Sequence, residues 1–516
     1  MTKTKMTRRE LLKSLATLPV VGALFYKTLQ KEAYQKNIEH NLSRIIDLDF
    51  KNFDKHLVPE KNCEKIRLGL IGYGSRGRMI INSAGFLHPG YINDIREAGL
   101  ENKKDKRYEF LMQSEQLNIE INGICDIYDP YTEYGMMACG NQQKSTRTSD
   151  VKPVKRYKNY KDLIAAKDID AVVIATPDHW HAPMIIEAVK QGKHVYTEKC
   201  MTRTLEEAYA VRQAVKTSKI VFQLGHQNRQ FDSYNLAHEL VNEKQILGNI
   251  SLVQTNTNRN TPYGAWVYDI PEEAGRHNID WQQFIGATNP SEFSLEKFFR
   301  WRLWWDYGTG LSGDMLTHEY DCINQVLDVG IPDSVMASGG IYHYKDGREV
   351  PDVFNALMEY EKQDLTLMYS SSLASGKYRP RTLMGTDGAM ELSNGFTVSI
   401  DNHSQKYSHE IESGIIDTST PAYSYAPGAK GIDAITSAST KYFAERGLTY
   451  TYRNGKQIDT TFLHMKEWLD AIRTGSQTSC NIDRGFEEAV TAHMATISYR
   501  KGKKVFWDRD KLMVRL

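Results

Sequence analysis

The sequence lacks the features that mark several classes of protein. Its six cysteines, at positions 63, 125, 139, 200, 322 and 480, form no CxxC pair and are too dilute for a disulfide scaffold. The 65 Lys and Arg nearly balance the 64 Asp and Glu, so no net field attracts nucleic acid or an acidic membrane surface. A charged fraction of 25% argues against both a polytopic membrane protein and wholesale disorder. What remains is a soluble, mixed α/β chain of enzyme size, with roughly 150 residues for each of two or three domains.

Long apolar runs are also absent, and the one near the N-terminus spans only residues 15–26. About a dozen residues are too few to cross a bilayer comfortably. The run follows Arg8 and Arg9, and this order predicts a twin-arginine export signal over residues 1–27. The alternative is a chance arginine pair before an amphipathic helix, and signal cleavage or retention as an anchor stays open. Residues 28–64 are polar and predict an arm or linker. We therefore expect an exported protein, either periplasmic or tethered to the membrane and facing the periplasm.

A glycine-rich loop follows the first strand-like run, residues 65–71. Residues 72–77 read Gly-Tyr-Gly-Ser-Arg-Gly, a G-x-G-x-x-G between a strand pattern and a helix pattern. In this context the first glycine permits the turn, the second admits a pyrophosphate and the third lets the helix pack on the strand. The following helix would direct its N-terminal amides at the phosphates. The motif predicts a dinucleotide site.

The acidic residue expected at the end of the second strand is Asp126, which lies at the end of the strand-like run 119–127. Residues 87–117 are polar and predict a surface insertion before that strand. We expect Asp126 to bind the ribose hydroxyls and to repel a 2′-phosphate, so NAD is favoured over NADP. Arg76 and Arg78 would soften that preference. The alternative for Asp126 is a solvated acid at a strand end.

Strands and helices then alternate, with strand-like runs at 169–176, 193–197 and 220–224 and helical patterns at 182–191 and 205–216. This alternation predicts a Rossmann-type, doubly wound parallel sheet over residues 65–228, with ligands beyond the carboxyl ends of its strands. After about residue 230, strand-like runs at 250–257, 334–342, 353–360, 365–371 and 381–392 come without intervening helices. They predict an α+β domain over residues 229–516 with an open, mainly antiparallel sheet. One sheet face would carry helices and the other the substrate, the last helix would pack back on the first domain, and 401–430 would be a lid or an oligomer contact.

Seven stretches together resemble the Gfo/Idh/MocA oxidoreductase family, the group of glucose-fructose oxidoreductase and inositol dehydrogenase. They are residues 72–77, 175–181, 192–199, 225–229, 305–318, 385–388 and 499–507. The resemblance spans about residues 65 to 510. Secreted relatives with a twin-arginine leader form a recognised subgroup of this family. Residues 198–200, Glu-Lys-Cys, depart from the family's Glu-Lys-Pro. We interpret Cys200 as a small packed residue rather than a nucleophile.

The resemblance implies the catalytic residues. In the family the lysine of Glu-Lys-Pro lies beside the nicotinamide, and an Asp-x-x-x-His pair on a helix completes the site. Lys199, Asp314 and His318 match these positions, and the i, i+4 spacing puts the last two on one helix face. We expect His318 to act as general acid/base and Asp314 to orient it as a hydrogen-bonding partner. Lys199 would polarise the substrate hydroxyl or relay its proton. Which of Lys199 and His318 takes the proton first stays open. The alternative for the pair is a helix-start acid and a core histidine.

The expected ligand contacts divide into two sets. Cofactor contacts are expected from Gly72, Gly74, Ser75, Arg76, Gly77, Asp126, Thr176, Trp180, His181, Glu198, Lys199 and Gln227. Substrate contacts are expected from Arg259, Tyr263, Trp305 and Tyr307. The last two lie in the aromatic stretch 298–307, of which we expect one or two rings to reach the site and stack on a sugar. We expect no metal, because His179 and His181 have no third ligand at a convincing spacing.

Three functions are compatible with this pattern. The leading interpretation is an NAD-dependent oxidoreductase acting on a hydroxyl of a sugar or glycoside, with the cofactor tightly bound. The alternative is an NAD-dependent, redox-neutral glycoside hydrolase that oxidises, eliminates, hydrates and reduces again. A non-catalytic sugar-binding relative would be expected to lack Lys199 or His318, and both are present. The expected partners are a small carbohydrate, no nucleic acid, a membrane only through the N-terminal signal, and further copies in a homo-oligomer.

Overall fold

The computed structural model describes residues 64–425 except 104, 289, 415 and 420, together with 450–453 and 456–516. The predicted export signal, all but the last residue of the arm at 28–64, and part of the 401–430 segment lie outside the described residues. Within the described ranges, no helix is both long enough and apolar enough to cross a membrane.

The first domain is built on a six-stranded sheet in which all neighbours run parallel. Its strands are β1 (Ile66–Ile71), β2 (Ile119–Cys125), β3 (Lys155–Arg156), β4 (Ala171–Ile174), β5 (His194–Thr197) and β6 (Phe222–Leu224). Their order is β3-β2-β1-β4-β5-β6, the doubly wound arrangement that the alternating pattern predicts. All four residues of β4 are buried, because helices cover both faces of the sheet.

The helices of this half are mostly short. They are α1 (Ser75–Ser83), α2 (Pro89–Glu101), α3 (Arg107–Gln113), α4 (Asp129–Cys139), α5 (Tyr160–Ile164), α6 (Asp178–Lys190), α7 (Leu205–Lys216) and α8 (Asp232–His238). The insertion before β2 folds into α2 and α3, which bury a small apolar cluster of their own. Helix α7 begins in a capping box, in which Thr204 and Glu207 satisfy each other's backbone amides.

The second domain is built on a ten-stranded sheet. The strands that follow β6 are β7 (Ile250–Asn258), β8 (Ser334–Gly340), β9 (Val353–Tyr360), β10 (Leu365–Ser372), β11 (Arg381–Gly385), β12 (Gly388–Leu392), β13 (Phe396–Ile400), β14 (Tyr423–Tyr425), β15 (Tyr450–Arg453), β16 (Lys456–Asp459), β17 (Val505–Asp508) and β18 (Met513–Arg515). The sheet order is β14-β13-β12-β11-β7-β10-β9-β8-β17-β18, while β15 and β16 form a separate ribbon. Only β7 and β10 pair in parallel among these described strands, so the sheet is mainly antiparallel. The predicted strand 381–392 is in fact the hairpin β11–β12.

The helices of the second half are α9 (Trp281–Ile285), α10 (Leu295–Phe299), α11 (Thr317–Leu327), α12 (Ser408–Glu412), α13 (Thr460–Thr474) and α14 (Ile482–Lys501), and a π-helical turn, Ser312–Leu316, leads into α11. Of these, α11 and α14 pack on one face of the ten-stranded sheet, at β7 and β8, whereas α13 packs on α1 of the first domain. Helix α14 packs on both β8 and α7, and a continuous apolar core runs through the two domains. On the other face, Met336, Leu357 and Met368 are cross-strand neighbours that remain 41%, 43% and 39% exposed.

Candidate active site

A cleft of about 690 Å³ opens where the parallel strands end. In the register of the sheet, Ile71 pairs with both Cys125 and Ile174, and Ile174 pairs with Thr197, so four strands end at one level. The residues that follow them therefore meet at one edge of the sheet. The second domain closes the cleft with the loops after β7 and with the start of α11.

The glycine-rich loop needs its glycines for two different reasons. Gly72 has a φ of +89°, and a Cβ there would lie 2.6 Å from the Ala175 carbonyl oxygen. A Cβ on Gly77 would overlap the Gly72 carbonyl oxygen, so this glycine lets α1 pack close to the loop. At Gly74 the nearest atom to an added Cβ is 3.9 Å away, which leaves open space beside the backbone. The loop is thus shaped to receive a ligand over Gly74, and Ser75 also lines the cleft.

Asp126 lies at the end of β2 and ties the glycine-rich loop to the sheet. Its two carboxylate oxygens accept the backbone amides of Tyr73 at 2.6 Å and Tyr128 at 2.9 Å. Burial raises the pKa of Asp126, although these amide donors oppose that rise. The residue lines the cleft, as a ribose-binding acid would.

Arg76 and Glu198 form an ion pair across the floor of the cleft. The Arg76 Nε lies 2.7 Å from Glu198 Oε1, and Arg76 Nη2 donates to Gln227 Oε1 at 2.9 Å. Burial alone would lower the pKa of Arg76, but Glu198 outweighs it and the pKa is raised. Gly225 is required beside the pair, since a Cβ there would lie 2.5 Å from Glu198 Oε1. These three side chains line the cleft, and so does Thr176.

Lys199 and Asp314 form a second buried ion pair on the substrate side. Lys199 Nζ donates to the Asp314 carboxylate at 2.8 Å and to its carbonyl oxygen at 2.5 Å. The same carboxylate also accepts from Arg302 Nε and from the Trp266 indole nitrogen, each at 3.1 Å. Burial alone would raise the pKa of Asp314, but Lys199 and Arg302 outweigh it and hold that pKa well below its usual range.

His318 lies one turn beyond Asp314, and both line the cleft, as their spacing predicts. Burial lowers the pKa of His318 well below its ordinary value, and the nearby cations Lys199 and His226 lower it further. The imidazole is therefore held neutral, the form that accepts a proton.

The Lys199–Cys200 peptide bond is cis. Cys200 is 1% exposed, and burial raises the pKa of its thiol well above the ordinary value. This agrees with Cys200 as a packed residue, because the thiolate is the nucleophilic form.

The structure places His181, a predicted cofactor contact, behind the cleft and not among the residues that line it. His181 is fully buried, and its ring nitrogens face the carbonyl oxygens of Cys200 at 2.6 Å and Thr176 at 2.9 Å. It therefore ties two cleft-lining loops together from behind. His179 likewise faces main-chain carbonyls, and no group of three metal-ligating side chains occurs in the part of the chain that the structure describes. Trp180 does line the cleft, with its indole nitrogen donating to Phe284 O at 2.9 Å.

The aromatic stretch reaches the cleft through rings other than those predicted. Tyr307 is fully buried and its hydroxyl is 3.1 Å from Ser291 Oγ, while the Trp305 indole donates to Glu349 O at 3.2 Å. Neither of these two predicted substrate residues lines the cleft. Instead, the rings that line it are Phe298, Phe299 and Trp301.

The other two predicted substrate residues, Arg259 and Tyr263, line the outer part of the cleft. Tyr263 is 53% exposed, and its hydroxyl donates to Asp269 Oδ2 at 2.5 Å. The cleft lies on the helix-covered side of the second sheet, where α11 packs on β7, whereas the substrate was expected on the open face. Trp266 and Arg302 were not predicted from the sequence as site residues. Only Arg302 had a signal in the sequence, because it lies within the aromatic stretch.

Two family models match the chain. One, described as an oxidoreductase family with an NAD-binding Rossmann fold, matches residues 106–226. The other, described as the C-terminal alpha/beta domain of an oxidoreductase family, matches residues 277–506.

Curated relatives match over shorter segments. Levoglucosan dehydrogenase of Pseudarthrobacter phenanthrenivorans is 29% identical over 192 residues, 35% of this chain and 42% of that protein. A glycosyl hydrolase family 109 protein of Shewanella baltica is 36% identical over 93 residues, 18% of this chain and 20% of that protein. The 2,7-anhydro-N-acetylneuraminate hydratase of Escherichia coli is 25% identical over 235 residues, 45% of this chain and 53% of that protein. The chain thus spans about half or less of the length of these relatives.

Solved structures match over nearly their whole length. A levoglucosan dehydrogenase in complex with NADH and levoglucosan has a TM-score of 0.55 at 18% identity, covering 86% of this chain and 99% of that one. The WlbA dehydrogenase from Bordetella pertussis, in complex with NADH and UDP-GlcNAcA, has a TM-score of 0.55 at 16% identity, covering 87% and 99%. At these identities the likeness shows the shared fold: a parallel sheet followed by a mainly antiparallel one.

Proposed function

Because this chain belongs to the Gfo/Idh/MocA oxidoreductase family, we propose that it is an NAD-dependent oxidoreductase acting on a sugar or glycoside hydroxyl. One observation carries the proposal. Lys199 Nζ, held by Asp314 at 2.8 Å, and His318 lie in the same cleft as the glycine-rich loop. A bound hydride acceptor and the groups that take up a proton can therefore act on the same CH–OH group of a substrate.

The residues present fit a dinucleotide. The loop is open over Gly74 and closed elsewhere by its glycine packing, and Asp126 lies at the strand end where an adenosine ribose would sit. When bound, NAD supplies the hydride acceptor. Asp126 disfavours a 2′-phosphate, which supports NAD over NADP.

The residues of the chain then manage the proton. Oxidation breaks the substrate C–H and O–H bonds, and the hydroxyl proton must leave as the carbonyl forms. Lys199 donates a hydrogen bond that polarises the hydroxyl oxygen, and Asp314 fixes the lysine. His318, held neutral, accepts the proton. Phe298, Phe299 and Trp301 offer apolar faces for the C–H side of a sugar.

A second candidate is the redox-neutral glycosidase, which returns the hydride after elimination and hydration. The partial match to a glycosyl hydrolase family 109 protein, 36% over 93 residues, favours it. The same cleft residues would serve both reactions, since each begins by oxidising a hydroxyl.

The test is mass spectrometry of a panel of sugars and glycosides, including levoglucosan, incubated with the folded protein and NAD. A product two hydrogens lighter with its glycosidic bond intact supports the oxidoreductase. Free sugar and aglycone with NAD unchanged support the glycosidase. Absence of turnover across the panel by folded, NAD-binding protein would count against both, and a Lys199→Met variant controls for contaminating activity.

Two further proposals concern location and assembly. The Arg8-Arg9 pair supports twin-arginine export to the periplasm, as a soluble or membrane-tethered protein with NAD bound before export. An Arg8→Lys/Arg9→Lys variant that still fractionates with the periplasm would contradict this.

The exposed row Met336, Leu357 and Met368 supports a homo-oligomer joined through the open sheet face. A monomer by light scattering would contradict that.

A further inference from the structure

Four charged side chains form a buried network directly behind His318. They are Arg229, Asp321, His226 and Glu488, each at most 7% exposed. Arg229 lies 2.7 Å from the Asp321 carboxylate, and His226 Nε2 lies 2.5 Å from Glu488 Oε2. The network joins the loop after β6 to α11 and α14, and none of its members lines the cleft.

Contact geometry and charge balance favour a protonated His226. Its Nε2 lies 2.5 Å from Glu488 Oε2, and its Nδ1, which has no hydrogen-bond partner among the described residues, lies 3.8 Å from Asp321 Oδ2. Arg229 supplies one positive charge for the two carboxylates, and an imidazolium at position 226 supplies the second. An unbalanced buried carboxylate would be strongly destabilising. In agreement, Glu488 and Asp321 together outweigh burial and raise the pKa of His226.

The His226 ring contacts His318 edge-on. The ring centroids are 5.2 Å apart, and the planes are inclined by 84°. His318 Nδ1 is buried and has no hydrogen-bond partner among the described residues. The charged groups with the largest effects on His318 are the cations Lys199, His226 and Arg259 and the carboxylate Asp314. A proton on His318 would thus add a further cation beside three others.

We propose that His226 is a positioning residue, a fixed buried cation held by Glu488 and Asp321 that keeps His318 neutral and ready to accept the substrate's hydroxyl proton. His226 itself neither gains nor loses a proton in the reaction. The proton passes from the hydroxyl to His318, while the hydride passes to NAD. The role given to His318 in this inference rests on the proposed function. The electrostatic coupling between the two rings does not.

The coupling is measurable without any substrate. Diethyl pyrocarbonate modifies neutral imidazole and not imidazolium, so the rate of His318 modification against pH, followed by peptide mass spectrometry, reports the protonation of His318. Removing a cation at this distance strengthens proton binding to His318. We expect His226→Gln to shift the whole curve to higher pH, so that modification on its acid side is slower than in the wild type.

Glu488→Gln tests the same coupling with a nearly isosteric change. It removes the carboxylate that keeps His226 charged, so His226 becomes neutral while the summed charge of the pair stays at zero. The curve should shift in the same direction as for His226→Gln, by a smaller amount. His493→Gln is the matched control, because His493 is also buried on α14 and bonds Thr202 Oγ1 at 3.1 Å. It should leave the curve unchanged.

The outcomes separate the two proposals. If folded His226→Gln and Glu488→Gln both keep the wild-type curve, His226 is structural only and the inference fails. If His226→Gln does not fold, Glu488→Gln decides alone. If the curves shift but no sugar is turned over, the coupling stands and the proposed function fails. Where turnover is found, the acid limb of its pH profile should move with the modification curve.

Discussion

Two adjacent residues, Glu198 and Lys199, form ion pairs that serve opposite halves of the cleft. Glu198 pairs with Arg76 of the glycine-rich loop at 2.7 Å, and Lys199 pairs with Asp314 of the second domain at 2.8 Å. Both pairs are largely buried, with side chains between 8% and 18% exposed. One short segment after β5 therefore positions the cofactor half and the substrate half together.

The two pairs differ in how their carboxylates are used. Glu198 faces a single cation, whereas Asp314 accepts from Lys199, Arg302 and the Trp266 indole. Loss of Glu198 would leave one arginine without its partner, while loss of Asp314 would leave two cations facing each other. We infer that the first pair mainly shapes the cofactor site and that the second carries both stability and catalysis.

The sharpest test of this division is Lys199→Met. It removes the ammonium that polarises the substrate oxygen and leaves the Arg76–Glu198 pair intact. We expect kcat to fall about a thousandfold, within the range for a lost proton-handling group. NADH affinity, measured by fluorescence titration, should stay within about twofold of wild type, because the effect is confined to the substrate half. A parallel loss of NADH affinity would mean that the two halves are not separable.

The next largest effect is expected from Asp314→Asn. The neutral amide leaves Lys199 and Arg302 without a counter-charge in a buried site, so the free energy of unfolding should fall by about 3 kcal/mol. Urea unfolding measures this loss. Glu198→Gln should cost less, and equal losses would contradict the difference between the pairs.

Acidification should remove the contribution of Asp314 to the free energy of unfolding. Its pKa is held below the ordinary value in the folded protein, so its contribution to stability is present above the unfolded pKa of about 3.9 and is lost as the pH falls. The free energies of unfolding of wild type and Asp314→Asn should therefore converge on acidification below about pH 4. A gap that stays constant with pH would show that the carboxylate charge is not what stabilises the pair.

Glu198→Gln tests the cofactor half directly. The isosteric amide keeps the contact with Gly225 but releases the charge that holds Arg76 in place. NADH should bind about tenfold more weakly, a cost of about 1.4 kcal/mol. The rate at saturating NAD should change little, in contrast to Lys199→Met. Glu97→Gln on the exposed surface of α2 is the control and should alter neither quantity.

How far the sequence predicts this molecule depends on the range of the forces involved. The glycine loop, α7 and the buried strands follow from local patterns, so their positions are predicted closely. The split of 381–392 into a hairpin was missed because both strands share one apolar pattern across the turn at Thr386 and Asp387. The positions of Trp305 and Tyr307 outside the cleft lining could not be predicted, because a 3-10 turn, Trp301–Leu303, interrupts the regular helical direction of the stretch 298–307. The position of His181 behind the cleft could not be predicted, because its partners are main-chain oxygens, which have no sequence signature.

The smallest predicted effect comes from Gln227→Leu. This variant tests whether the Arg76–Glu198 pair also needs the hydrogen bond to Gln227. Gln227 accepts from Arg76 Nη2 at 2.9 Å, a hydrogen bond additional to the ion pair with Glu198. Its loss should weaken NADH binding about threefold, in line with one hydrogen bond to a charged group that keeps its main partner. Fluorescence titration of the double variant with Glu198→Gln then gives the coupling between the two contacts. Additive losses would mean that Gln227 contacts NAD independently, whereas a double variant no worse than Glu198→Gln would mean that both act only by placing Arg76.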